Sequence, residues 1–310
     1  MTTPEGASGK RTRPERWSQR HPGRAAIVYG AAYLALALGG WAAASVLRAP
    51  IAIAALSTVI GIATLALSLL LVLAVCRLRM SAAAEAAWML ALAAVFALAR
   101  PVVFAIVGRW IGAPGAGERL ARTITILPGQ ELVGNAALIL WAILLGRLVS
   151  RIIREGKLLF PVAVVAAVVD VFTVFRGVVA RVSEKAPEVV KTFTASTPVP
   201  PPSGVAVPIL GGIGIGDFLF FSLLISVMLR YAMNATGSLW GTFVATLVAP
   251  VAFMIWPNLG GIPGLPFIAV AVILANWRHL EFSRAEKKAL AVAALVLAAL
   301  VALFWVALSR

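Results

Sequence analysis

The sequence predicts an all-α membrane protein, a polytopic bundle of about nine transmembrane helices. Three observations carry that expectation. Of the 310 residues, 61% are hydrophobic and 13% charged, against roughly 45–50% and about 25% in ordinary soluble domains. Mean hydropathy is +0.98. Apolar runs close to the ~20 residues that a helix needs to cross a bilayer core recur along the whole chain. A single cysteine excludes an internal disulfide framework and a cysteine metal cluster. The two histidines, His21 and His279, lie apart beside basic clusters and offer no paired ligands for zinc or copper. A net charge of +15 would suit nucleic acid in a soluble chain. In a chain this apolar it suits basic loops facing an anionic membrane surface. No nucleic acid, metal or organic cofactor is expected.

The elements follow in chain order. Residues 1–24 form a basic tail with Lys10, Arg11, Arg13, Arg16, Arg20 and Arg24, too polar to fold alone. The tail resembles the positive region of a signal peptide, and Ala42–Ala44 could serve as a cleavage site. The run that follows exceeds a signal core and leads into another span, so a retained anchor is expected. Spans are predicted over about 25–47, 50–76, 83–111 and 129–150, an N-terminal bundle within 25–157. Further spans are predicted over 158–176, 205–230, 234–256 and 261–277, and a last one over 288–309 after a basic loop that opens the 278–310 segment. Between the fifth and sixth spans lies a polar loop, 177–204, whose Pro198-Val199-Pro200-Pro201-Pro202 favours extended, flexible chain.

Basic residues suggest the orientation. With the N-terminus inside and sides alternating across nine spans, inner segments carry seventeen Lys and Arg and outer segments nine. Arg100, next to Pro101 within the third run, is expected either to pair with Glu85 or Glu131 or to snorkel. Trp110, Trp141, Trp240, Trp256 and Trp277 fall mostly near span ends, as interfacial anchors do. Cys76 reads as a buried thiol, and Ser222 as a helix-backbone hydrogen bonder without a base nearby. The expected location is an integral, multi-pass membrane site, the plasma membrane if the source is prokaryotic.

The functional clue lies in the acids. Only two of the twelve acidic residues are aspartates, Asp170 and Asp217, and both fall within apolar spans. A carboxylate at helix centre costs at least about 2.5 kcal/mol on insertion scales, so such residues face protein interior and mark function. An interhelical hydrogen bond is the plainer role for either one alone. Two on consecutive spans, flanking one loop, suggest a pair. Two carboxyls in one apolar site share a proton. The ionised member can draw a proton from an attacking water while the protonated member donates to the carbonyl oxygen. A zinc protease would need a His-Glu-x-x-His helix, and a serine protease a base within a span; the sequence has neither.

Gly214-Ile215-Gly216-Asp217 resembles the GxGD motif of the intramembrane aspartyl proteases, the presenilin and signal peptide peptidase group. Asp170, in Val169-Asp170-Val171-Phe172, resembles that family's Tyr-Asp helix, and the loop 177–204 falls between the two aspartates as it does there. Gly264-Leu265-Pro266-Phe267-Ile268 sits where the family has Pro-Ala-Leu. There are departures. Val169 stands in place of the tyrosine, only Pro266 is kept from Pro-Ala-Leu, and four spans precede the first aspartate where five are usual. The resemblance covers about 158–277 and implies a presenilin-like catalytic core. It assigns catalysis to Asp170 and Asp217, and substrate contact to Gly214, Ile215, Gly216, Leu265, Pro266 and Phe267.

The expected activity is therefore an aspartic-type intramembrane endopeptidase acting on hydrophobic transmembrane or signal-peptide segments from the lipid bilayer. A different class competes with it. In a proton-coupled transporter or channel the same two aspartates would relay protons.

Overall fold

The computed structural model describes residues 21–47, 49–123, 130–175, 184–185, 187–195, 213–255 and 263–307. Most of them are helical. The chain begins with α1 (Pro22–Val46) and α2 (Pro50–Cys76), which pack against each other. Each has a proline in its first turn, where the missing N–H has no intrahelical acceptor in any case. The tail before residue 21 lies outside the described residues.

The third run departs from expectation. A single span over 83–111 was predicted, but α3 (Ala82–Ala99) stops at Arg100, which leaves helical geometry at φ −128° and ψ 78°. Pro101 enforces that exit, because a residue before proline is driven out of the α region. The short α4 (Val102–Trp110) and α5 (Pro114–Thr123) then fold against each other. They meet at glycines: a Cβ on Gly108 would lie 2.9 Å from Gly117 Cα.

The helix α6 (Gln130–Ser150) lies against α3 and against α9 (Ile215–Arg230). At the α6–α9 crossing a side chain on Gly146 would overlap Ser222 Oγ and the Leu219 carbonyl. Close approach of this kind drives helix association in lipid, where dispersion rather than water expulsion does the work. Ser222 is fully buried there and donates to Leu219 O at 2.9 Å, as expected of a helix-backbone hydrogen bonder. Around this contact one core gathers Val72, Ile143, Leu159, Phe221, Leu224, Ile225 and Met228, all essentially inaccessible. That core draws residues from both sides of position 157.

A charge cluster ties the helix ends beside the core. Glu85 in the first turn of α3 pairs at 2.8 Å with Arg147 of α6 and at 3.0 Å with Arg151, in the turn just after it. Arg147 also donates to the carbonyls of Val75 and Leu78, where α2 ends and its last C=O groups lack helical donors. Buried charges persist only with partners of this kind.

The remaining elements frame the site. They are α7 (Leu159–Phe175), α8 (Pro187–Thr192), β1 (Thr194–Ala195), β2 (Ile213–Gly214), α9, α10 (Ala235–Ile255), α11 (Leu265–Asn276) and α12 (Arg284–Ala307). The two strands pair antiparallel, Thr194 with Gly214 and Ala195 with Ile213. Thus part of the loop expected to be flexible holds a short helix and a strand; its proline run lies outside the described residues. The fully buried Asn276 fixes the far end of α11. Its side chain donates to Ser238 Oγ at 2.8 Å and accepts the Asn234 N–H at 2.7 Å, at the start of α10.

Among the described residues five helical segments are long and apolar enough to cross a membrane: Pro22–Ala44, Ile51–Cys76, Ala82–Ala99, Gln130–Ser150 and Gly156–Phe175. The 16 residues of α9 and 12 of α11 rise only ~24 and ~18 Å at about 1.5 Å per residue. The last helix is long but sits apart. It is tied to the bundle by Lys157–Glu286 at 3.1 Å and by the Phe160–Phe282 ring contact, while Val292, Leu295 and Leu303 stay exposed.

Candidate functional site

The two aspartates reach the same place from different helices. Asp217 is the third residue of α9, in a first turn that opens directly from β2 with Gly214 as its N-cap. Asp170 sits within α7, and its Oδ2 accepts the Leu265 N–H at 3.0 Å. Leu265 is the first residue of α11, so that N–H has no acceptor inside its own helix and a carboxylate can take it. Pro266 follows in the first turn, where its lack of an N–H is harmless.

Gly264 completes the junction. A Cβ there would stand 2.9 Å from Asp217 Oδ1 and 3.1 Å from its Oδ2 and Cγ, too close to tolerate without movement. Asp170 therefore contacts position 265 and Asp217 abuts position 264. Adjacent Cα atoms are about 3.8 Å apart across a trans peptide. Both carboxyls therefore meet the same dipeptide, Gly264–Leu265.

Beside them runs an apolar groove of about 530 Å³. Val162, Val165, Ala166 and Val169 of α7 line it, together with Phe220 and Leu265. Asp170 and Thr173 are its polar lining residues. A mostly apolar cleft with a few converging polar groups is the usual form of a binding site.

The structure sorts the expected residues. Asp170, Asp217, Gly214 and Leu265 come together, with Gly214 in ordinary contact distance of Asp217: a Cβ there would lie 3.6 Å from Oδ2. Pro266 and Phe267 follow in the first turn of α11, both half-buried. Ile215 turns away and packs on the cluster of Phe96, Ala137 and Leu138. Gly216 is exposed, and a Cβ on it would meet nothing within 4 Å. It borders open space rather than the carboxyls, because one helical residue along from Ile215 the chain has turned by ~100°.

Sequence reasoning passed over Gly264 and Thr173. Gly264 was legible as the residue before Leu265, yet nothing local says that a carboxylate from another helix would fill the place of its side chain. Thr173 lies three residues after Asp170 on the same helix face and donates to the Asp170 carbonyl at 2.9 Å. Arg100 also finds unforeseen partners. Glu85 is taken by Arg147 and Arg151, while the Arg100 guanidinium donates to Asn135 Oδ1 and to the Thr192 carbonyl, within charge range of Glu131.

Among the described residues no group of three or more His, Cys, Asp or Glu could hold a metal ion. No family model, curated protein or solved structure matches the chain.

Proposed function

We propose that this chain is an intramembrane aspartyl endopeptidase of the GxGD kind, with a presenilin-like core and nine membrane spans. One observation supports this reading above others: two carboxyls from separate apolar helices face one dipeptide, Gly264–Leu265, beside an apolar groove. The substrate is a hydrophobic segment that enters the groove from the bilayer and unwinds locally, since helical peptide bonds are shielded from attack. A water held between Asp170 and Asp217 is the nucleophile.

The chemistry needs only these groups. The ionised carboxylate takes a proton from water as its oxygen adds to the scissile carbonyl carbon. The protonated partner donates its proton to the carbonyl oxygen, giving a neutral tetrahedral diol. When the C–N bond breaks, the first carboxyl returns its proton to the departing nitrogen and the second recovers one from a diol hydroxyl. The products are an acid and an amine, and the pair is restored. Fixed carboxyls at helix N-termini need little rearrangement during these transfers.

The test is cleavage of a fluorogenic transmembrane peptide by purified protein in detergent. Asp170→Asn and Asp217→Asn should each lower turnover by about 10²–10⁴-fold, the usual worth of a general acid or base. Equal cleavage by wild type and both variants removes this reading. Proton flux in liposomes that depends on both aspartates, with no peptide product, would assign the proton relay instead.

A further inference from the structure

Arg100 belongs to the half of the chain that carries no catalytic motif, yet its contacts lead to the aspartate helix. It emerges where α3 breaks, and its Nη1 donates to the Thr192 carbonyl at 2.8 Å. Its Nη2 donates to Asn135 Oδ1 on α6, and the guanidinium carbon lies 5.9 Å from the Phe96 ring centre. The α6 helix makes room with Gly134, where a Cβ would fall 3.2 Å from Arg100 Cγ and Nε. Thr192, which is buried, ends α8 and leads directly into β1. The Phe193 ring packs at 5.9 Å against Phe96, tilted by 41°, and the Phe193 carbonyl accepts the Ile215 N–H at 3.4 Å. Thr194 and Ala195 then pair with Gly214 and Ile213. Ile215 opens α9 two residues before Asp217.

We propose that Arg100 is a positioning residue that tethers β1, and through the β1–β2 pairing sets the start of α9 and the place of the Asp217 carboxyl. The idea rests on the peptidase reading only for its effect on turnover; the tether itself does not. Two paired residues on each strand cannot hold a hairpin alone. An external anchor is needed, and a charged donor on a main-chain carbonyl is stronger than a neutral one. The anchor acts on main chain, so it holds a strand whatever its side chains.

The experiment uses the full chain with Cys76→Ser, which removes the only cysteine, together with Ala195→Cys and Ile213→Cys at partnered strand positions. The first readout, the rate at which this pair forms a disulfide in membranes, requires no activity. Arg100→Gln should slow it about ten-fold, and should lower kcat on the transmembrane peptide by about ten-fold or more with KM little changed, as expected when a reacting group is misplaced. Arg100→Lys, which keeps a cation for the Thr192 carbonyl, should recover part of both. Closing the disulfide in the Arg100→Gln protein should restore kcat, and reducing it should abolish the gain.

An Arg100→Gln protein that crosslinks at the wild-type rate overturns the proposal. So does one that turns over normally, or one whose closed disulfide restores nothing. If Arg100→Gln does not fold, Asn135→Ala takes its place: slower crosslinking supports the tether, and the wild-type rate overturns it. A wild-type protein that cleaves nothing, while Arg100→Gln still slows crosslinking, removes the peptidase reading and upholds the tether.

Discussion

The two aspartate helices are alike in length, 17 and 16 residues, but not in surroundings. Along α9, Phe221 and Leu224 are each 1% exposed and Ile225 not at all, held between α6, α2 and α11. Along α7, Val165 is 43% and Val169 50% exposed, on the face that forms the groove. Asp217 is thus mounted on an enclosed helix, and Asp170 on one that borders the outside of the bundle. In the proposed enzyme the first is a fixed point, while the second lies where a substrate would arrive. Water does not decide between these positions in a membrane, because lipid and protein interior are equally apolar. Close packing does, through contacts such as Gly146 against Ser222 and Leu219.

The largest effect expected from this contrast is at the junction of the two carboxyls. Gly264→Ala should lower kcat about 10–100-fold, since its Cβ displaces the Asp217 carboxyl and misplacement by an ångström has costs of that order. Gly216→Ala is the matched comparison. Its Cβ enters open space, and the exchange should favour the helix by roughly 0.5–1 kcal/mol without harming turnover. Equal losses in the two variants would show that the motif, not the contact, matters.

The next effect is on stability. Leu224→Ala in the enclosed helix should cost about 2 kcal/mol, the low end for core truncations, because lipid supplies no hydrophobic penalty in the unpacked state. Val165→Ala on the groove face should stay within about 0.5 kcal/mol. Denaturant titration in detergent micelles measures both, and a reversed order would break the comparison. Val165→Trp sharpens it, since filling the groove should raise KM while leaving the denaturation midpoint in place.

The smallest effect is at the periphery. Glu286 accepts the Ser283 N–H at 2.6 Å and bonds Lys157, and both hold its carboxyl below the usual carboxylate range. A depressed folded value means that the contribution is present above the unfolded value and is lost as pH falls through the folded one. Glu286→Gln should therefore lower stability slightly at neutral pH. The difference from wild type should close on acidification and shrink in salt, since the group is open to solvent. A difference that persists in acid would mean that the side chain acts by packing instead.

The sequence made some of the site legible for identifiable reasons. An aspartate in an apolar run is conspicuous because burying a lone carboxylate is costly, so Asp170 and Asp217 could be named from one dimension. Prolines 22, 50 and 266 mark helix starts for steric reasons that act within a turn. Arg100-Pro101 carried the signal of a break, but the length of the apolar run concealed it. Gly216 was grouped with Gly214 by spacing, and only the helical turn separates them. Gly264 and the partners of Arg100 depend on chains that meet from more than thirty residues away.

By itself, then, the sequence determined that the chain is apolar and helical and that its two aspartates lie within apolar helices. Those properties follow from transfer energies and from torsions, which are local. Tertiary structure decided that both carboxyls face Gly264–Leu265, that one of their helices is enclosed and the other open, and that Arg100 from the motif-free half meets the Thr192 carbonyl just before β1. In lipid no hydrophobic gradient tells a helix which face to turn inward. Side-chain shape and hydrogen bonds between distant segments make that choice, and they exist only once the segments have met.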